Sequence, residues 1–133
     1  VIATDVTKDF AMADAHGLSS SPRGSRSWEI YNNNFSANLS SGRVYAAIGI
    51  RGGDGVIFNN TVGSNIARAV VLELEGASCG TYPAKDQTRE AWIWNNNPST
   101  IDNTCTSSIQ AGRDYFTSAK SGYTPYAYPH PLR

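Results

Sequence analysis

The sequence predicts an all-β chain, its short strands coiled into a solenoid of about four turns and stacked in parallel sheets. Three observations predict it. The pattern Ile-aromatic-Asn-Asn occurs at Ile30, Ile57 and Ile93. A glycine follows an apolar-alternating stretch at Gly17, Gly52 and Gly76. Small polar residues crowd a chain of 133 residues: 11 Asn, 15 Ser, 10 Thr and 12 Gly beside a single Met. That mixture favours turns and short strands over long helices.

The repeats have a constant arc and a variable one. The copies are Trp28-Glu-Ile-Tyr-Asn-Asn-Asn-Phe35, Gly55-Val-Ile-Phe-Asn-Asn-Thr-Val62 and Ala91-Trp-Ile-Trp-Asn-Asn-Asn-Pro98. Their isoleucines and their second asparagines, Asn33, Asn60 and Asn96, share spacings of 27 and 36. From each of these asparagines to the next glycine anchor the distances are 19, 16 and 16; from glycine to the next asparagine they are 16, 8 and 20. The fourth anchor, Ser108-Ile-Gln-Ala-Gly112, is the weakest and fits with a slip of one residue. A coiled chain whose equivalent positions stack at about 4.8 Å behaves this way, with insertions confined to one arc. Asparagine suits the corner because it tolerates left-handed backbone and its amide can bond the amide above and below. No stretch shows the i, i+3, i+4, i+7 apolar pattern that a helical repeat needs.

Register then assigns faces. Counted back from the glycines, Ala13 and Ala15, Ile48 and Ile50, and Leu72 and Leu74 point inward. His16, Arg51 and Glu75 form one outward column, and Asp14, Gly49 and Glu73 the next, with Asp54 just past the strand end. Asp14 and Glu73 would stand about 9.6 Å apart on strand spacing, near the upper end for an inverting carboxylate pair. Two long excursions, Leu18–Ser27 and Ala77–Glu90, flank the short Gly53-Asp54-Gly55 and would raise a notch lined by Arg23, Arg26, Tyr82, Lys85 and Arg89. Tyr31, Phe58 and Trp94 form an aromatic column next to the isoleucines, open to sugar rings or buried under the Tyr- and Pro-rich tail.

The three repeat copies and the ending Arg113-Asp-Tyr-Phe, followed by Gly122-Tyr-Thr-Pro-Tyr-Ala-Tyr-Pro-His-Pro-Leu132, resemble the right-handed parallel β-helix repeat proteins of the pectate-lyase-like superfamily. The tail is similar to the C-terminal end of secreted bacterial members, so the chain matches the C-terminal portion of such a protein. The resemblance covers most of the chain and implies a single β-helix domain, with stacked turns over 1–112 and a capping tail over 113–133. Because the superfamily includes lyases, hydrolases, esterases, adhesins and non-catalytic scaffolds, it implies a fold and no single reaction. Its polysaccharide-degrading members place catalytic groups on the outer face of one sheet. On that model Asp14, His16, Arg51 and Glu73 are the catalytic candidates, with Arg51 binding a uronate carboxylate or stabilising an enolate-like charge and His16 as acid or base. Asp54, Glu75, Arg23, Arg26, Tyr82, Lys85 and Arg89 would contact the glycan. The same outward charges also read as a solvated ladder in which Arg51 pairs with its neighbours, or as a ligand site without chemistry.

Composition limits the remaining classes. Eleven Lys+Arg cancel eleven Asp+Glu, which argues against non-specific nucleic-acid binding. The longest apolar runs, such as Ala69–Leu72, are too short to span a bilayer. Three Lys against eight Arg, the single Met and the pair Cys79 and Cys105 fit an exported chain. If bonded, that pair would add roughly 3 kcal/mol; two free thiols are the other reading. The sequons at Asn34, Asn38 and Asn59 are close to chance in so Asn-rich a chain. Neither a phosphate loop nor a Cys-x-x-Cys pair occurs; Ca2+ on Asp14, Asp54 or Glu73 is an alternative because stacked carboxylates attract cations, although no calcium-loop spacing supports it. No cofactor is expected. Counting back from Gly17 puts Val1 at a corner position, so the first turn is expected to be covered by upstream turns, another chain or another copy. Two functions follow: an extracellular module that binds polysaccharide, with degradation by a lyase or hydrolase reaction as its catalytic form, or a non-catalytic structural subunit that stacks end to end or on a partner.

Overall fold

The computed structural model describes residues 2–4, 11–17, 24–38, 43–76 and 78–127, the first three as backbone only. Among these residues the fold is all-β, with eleven strands: β1 (Ile2–Thr4), β2 (Ala11–Ala15), β3 (Trp28–Tyr31), β4 (Asn34–Asn38), β5 (Ala46–Ile50), β6 (Gly53–Phe58), β7 (Thr61–Val62), β8 (Val70–Leu72), β9 (Thr88–Trp94), β10 (Ile101–Asn103) and β11 (Tyr115–Phe116). They build three sheets, ordered β1-β4-β7, β2-β5-β8-β10 and β3-β6-β9-β11. Every strand pairing is parallel. The chain visits the three sheets in rotation, each strand pairing with the one laid down on the previous visit. A single bridge from Thr61 to Asn97 continues the first sheet past β7.

Parallel pairing in register turns repeats into columns. Ile30, Ile57 and Ile93 are direct neighbours, as are Tyr31, Phe58 and Trp94. Ala13, Ile48, Val70 and Ile101 form a column of the second sheet. Ile48, Ile57 and Val70 are at most 1% exposed, whereas Ala13 and Ile30 in the first described turn are only partly buried. At the other end Cys105 (1% exposed) and Ile109 (0%) pack into the same core, with Asn103 Nδ2 donating to the Ile109 carbonyl at 2.7 Å.

The asparagine corner divides into two roles. The sequence pattern alone predicts that one asparagine supplies both the left-handed backbone and the amide ladder. Instead the first of each pair, Asn32, Asn59 and Asn95, takes the positive φ of 51–56° and stays exposed. The second forms the ladder. Asn60 Oδ1 accepts from the backbone N–H and the Nδ2 of Asn33, at 3.1 and 3.0 Å. Asn96 Oδ1 accepts the same two bonds from Asn60, at 3.1 and 2.9 Å. The Asn60 Nδ2 also reaches the Ile30 carbonyl at 2.9 Å. A residue whose backbone turns left projects its side chain outward, so the inner ladder falls to its neighbour, while Asn95 Nδ2 donates to Asn59 Oδ1 at 2.5 Å on the exposed side.

Three further expectations shift. In the third turn Val70, Val71 and Leu72 face Ile48, Gly49 and Ile50, so Leu74 and Glu73 are displaced by two residues from the expected register. A two-residue slip keeps the inward face inward, and Val70 and Leu72 fill the core at 1% and 0% exposure. The fourth strand of that sheet is Ile101–Asn103, not the segment ending at Gly112. Gly53-Asp54-Gly55 is not a low loop but the start of β6, paired with Trp28, Thr88 and Ala91. Gly53 has φ 87°, and a Cβ there would lie 1.5 Å from the Ser25 carbonyl oxygen, so no other residue fits that crossing.

Replacing Asn60 with Ala should cost about 2–4 kcal/mol, since it removes the acceptor shared by the Asn33 backbone N–H and Nδ2 and leaves a gap at a fully buried position. Asn33→Ala, at the ladder's end, should cost less. Urea denaturation of the two variants reads the difference, and equal losses would contradict a ladder whose middle rung is bonded on both sides.

Candidate functional site

The outward charges gather where β2 and β5 end. Arg51 follows β5 directly, and its backbone N–H bonds the Ala15 carbonyl at 2.9 Å, continuing the register past both strands. Its guanidinium lies between two carboxylates. Nε donates to Asp14 Oδ1 at 3.2 Å, Nη2 contacts Asp14 Oδ2, and Nη1 lies 3.0 Å from Glu75 Oε1 and Oε2. His16 closes the ring. Its Nε2 is 3.0 Å from Asp14 Oδ2 and contacts Arg51 Nη2; its Nδ1 is 3.2 Å from Glu75 Oε2. The Arg51 side chain is 16% exposed and that of His16 is 58% exposed. The hydrogen bond that Arg51 donates to Asp14 is the largest influence holding the guanidinium charged, ahead of the opposing effect of burial.

Glu73 stands apart from this ring. The expected Asp14–Gly49–Glu73 column is corrected: Val71, 0% exposed, occupies the place beside Gly49. Glu73 comes after Leu72 instead, where its N–H bonds the Ile50 carbonyl at 3.0 Å, level with Arg51. Burial pushes its carboxyl above the ordinary carboxylate range, Arg51 pulls it back, and Asp14 and Glu75 push it up further.

One flank of the proposed notch, residues 18–23 with Arg23 among them, lies outside the described residues. Arg26 and Lys85 are exposed, and among the described residues no hydrogen bond, ion pair or ring contact joins Arg26, Tyr82, Lys85 and Arg89 to one another. Tyr82 instead carries the Arg113 guanidinium 3.6 Å above its ring. The loop they sit on is tied down. Cys79 and Cys105 form a disulfide, Gly80 N–H bonds Ser108 Oγ at 2.8 Å, and Asp86 Oδ2 accepts from Gly76 N–H at 2.8 Å. Gln87, fully buried, bridges the loop to the body through the Ala84 N–H and the Thr88 and Ser108 carbonyls. Nothing in the polar run Lys85-Asp-Gln-Thr88 distinguishes this buried hub from surface.

The aromatic column is covered. Tyr31 stacks on Phe58 at 4.8 Å and Phe58 on Trp94 at 4.4 Å, with interplanar angles of 13° and 5°. Tyr123 lies edge-on to Phe58 and Trp94, and Tyr31 Oη donates to the Tyr126 carbonyl at 3.2 Å. The described part of the tail therefore lies across the outer face of the third sheet, which β11 itself extends. His130 and the residues from 128 onward lie outside the described residues.

Beside that crossing sits a cleft of about 200 Å³ that sequence reasoning missed, lined by Ser27, Trp28, Glu29, Asp54, Gly55, Val56, Lys120 and Tyr123. One signal was available: Glu29 interrupts an otherwise apolar outward column of Val56, Trp92 and Phe116. Among the described residues no group of three or more His, Cys, Asp or Glu side chains is arranged to hold a metal ion, and no helix is long and apolar enough to cross a membrane.

The Glu73 carboxyl makes stability depend on pH. Its folded pKa is raised, so its contribution is fully present below the unfolded value of about 4.3 and is lost as pH rises through the folded value. Glu73→Gln should therefore raise the urea midpoint over wild type at pH 7, and the gain should vanish near about pH 3.5. A variant less stable than wild type at pH 7 would contradict that sign. No protein-family model, curated protein or solved structure matches the chain.

Proposed function

We propose that this chain is a non-catalytic structural module of an extracellular right-handed parallel β-helix. It docks through its first turn onto further turns or another protein chain. The observation that carries the reading is the closed charge ring. Arg51 is committed to Asp14 and Glu75, and both nitrogens of His16 face the same two carboxylates. A group that must bind a uronate or move a proton in a glycan would have to leave these partners first, at the cost of exposing unpaired charge. The covered aromatic column supports the same reading, because the flat surface a sugar would use is taken by Tyr123. Three parallel sheets visited in rotation support the coil, and the Cys79–Cys105 bond supports an oxidising location. The partly exposed Ala13 and Ile30, in columns that are fully buried one turn later, support docking at that end.

The second reading keeps the polysaccharide lyase or hydrolase, with Asp14, His16, Arg51 and Glu73 at work. The exposure of the His16 ring favours it. Arg51→Met separates the two. On the structural reading neither wild type nor variant depolymerises polygalacturonate, and the variant loses about 1–3 kcal/mol because two carboxylates lose their counter-ion. Depolymerisation by wild type that disappears in a folded Arg51→Met variant would overturn it. Sedimentation over a range of concentrations tests the docking end. Reversible association suppressed by Ile30→Lys supports it, and a monomer at every concentration removes self-stacking.

A further inference from the structure

We infer that the free edge of β3 is a docking site for an extended segment of another polypeptide, one that carries the same Ile-aromatic-Asn-Asn pattern and pairs with β3 in parallel. The inference rests on the reading of the chain as a module that docks through its first turn, and it names what that turn accepts. The occupant's chemistry follows from an interface that the chain makes twice within itself. β6 pairs with β3 and β9 with β6, each time with isoleucine on isoleucine and aromatic on aromatic. Among the described residues β3 ends its sheet, so no strand lies on its other edge.

The asparagine ladder has a direction, and at Asn33 it stops one set of bonds short. Asn33 donates its N–H and Nδ2 to Asn60 Oδ1, and Asn60 Nδ2 returns a bond to the Ile30 carbonyl at 2.9 Å. Asn60 and Asn96 repeat the set, with Asn96 Nδ2 on the Ile57 carbonyl at 3.2 Å. Asn33 differs in both groups that would serve a preceding strand. Among the described residues no donor reaches its Oδ1. Its Nδ2 falls back on the Tyr31 carbonyl of its own turn, at 3.0 Å, where the lower rungs reach the isoleucine of the strand before. An incoming strand with isoleucine over Ile30 and asparagine over Asn33 supplies what is missing: two donors for Oδ1 and a carbonyl for Nδ2. Its isoleucine would also cover Ile30, which is partly buried where Ile57 and Ile93 are 0% and 3% exposed. Strand addition of this kind takes affinity from the backbone and register from the side chains. A folded second copy fits the edge poorly. Head to head, it sets Asn33 Oδ1 against Asn33 Oδ1, acceptor against acceptor. Head to tail, it presents β11, whose Tyr115-Phe116 is followed by Thr117-Ser118 and no asparagine.

The test is a titration of the whole chain, followed by its amide resonances, with a peptide of its own Gly55–Thr61 sequence. The peptide is acetylated, amidated and extended by two lysines at its C-terminus for solubility. The protein is wild type throughout, so no variant has to fold. Saturable shifts should gather on Ile30, Tyr31 and Asn33, with the side-chain amide of Asn33 among them. A nitroxide on the peptide's N-terminus should broaden Ser27 and Trp28 more than Asn34 and Phe35, as parallel pairing requires. Changing the peptide's second asparagine to Asp should weaken binding about tenfold, because a carboxylate gives Asn33 Oδ1 no side-chain donor and repels it. Changing its isoleucine to Lys should abolish binding. No saturable shift, equal binding of the Asp peptide, or broadening centred on Asn34 and Phe35 would overturn the site. Binding that is lost with the Lys peptide but kept with the Asp peptide overturns the ladder register and leaves docking at the first turn standing. The structural reading itself is decided by the Arg51→Met assay, which does not involve β3.

Discussion

In-register parallel pairing is the constraint on which the rest of this structure depends. Each strand lies on its equivalent from the previous visit to the same sheet, so a residue's surroundings are set largely by the residue above and the residue below. The Asn33–Asn60–Asn96 ladder enforces this at the corner where it matters. A backbone N–H and a side-chain amide from one turn both close on one oxygen of the next. A strand that slipped by one residue would lose both bonds and turn its isoleucine outward. The variable arcs tolerate their different lengths because the corner has already fixed where the next strand begins.

Columns follow from that constraint, and columns amplify whatever they contain. Three isoleucines in line give a continuous core, and three aromatic rings in line give a stack. Charges in line bring repulsion and desolvation instead. The protein places Gly49 and Val71 beside Asp14 rather than a second carboxylate, and it lets Glu73 sit level with Arg51. The plaque thus pairs one guanidinium with two carboxylates, and the displaced Glu73 is left as the group whose ionisation is opposed.

The sequence made the columns legible where the repeat is written in large or chemically distinctive residues. The registers of Ile30, Ile57 and Ile93, of Tyr31, Phe58 and Trp94, and of Ala13 with Ile48 follow directly from aligned motifs. The third turn was harder because Val70, Leu72 and Leu74 alternate in the same way. A period of two has no means of distinguishing a slip of two, and the Gly76 anchor pointed to the wrong member of the series. The division of labour between Asn32 and Asn33 was hidden because both residues are asparagine and only backbone geometry separates them. The Glu29–Lys120–Tyr123 cleft joins residues some ninety positions apart, and one wall belongs to a tail that carries no repeat.

New chemistry in such a fold appears where a column is broken. Along the Glu29, Val56, Trp92 and Phe116 column only the first position is charged, and it lies beside a second break, the Gly53-Asp54-Gly55 crossing, where glycines let the backbone approach Ser25 and Trp28. These two interruptions put Glu29 and Asp54 on neighbouring strands without stacking them in line. The tail then crosses over the neighbouring aromatic column, to which it is held by ring contacts, and brings Lys120 to the opposite wall. In the plaque the corresponding charges sit on strands that pair directly, at strand spacing, and close on one another. How closely opposite charges approach is therefore set by whether they arrive on adjacent strands or on a strand and a crossing tail.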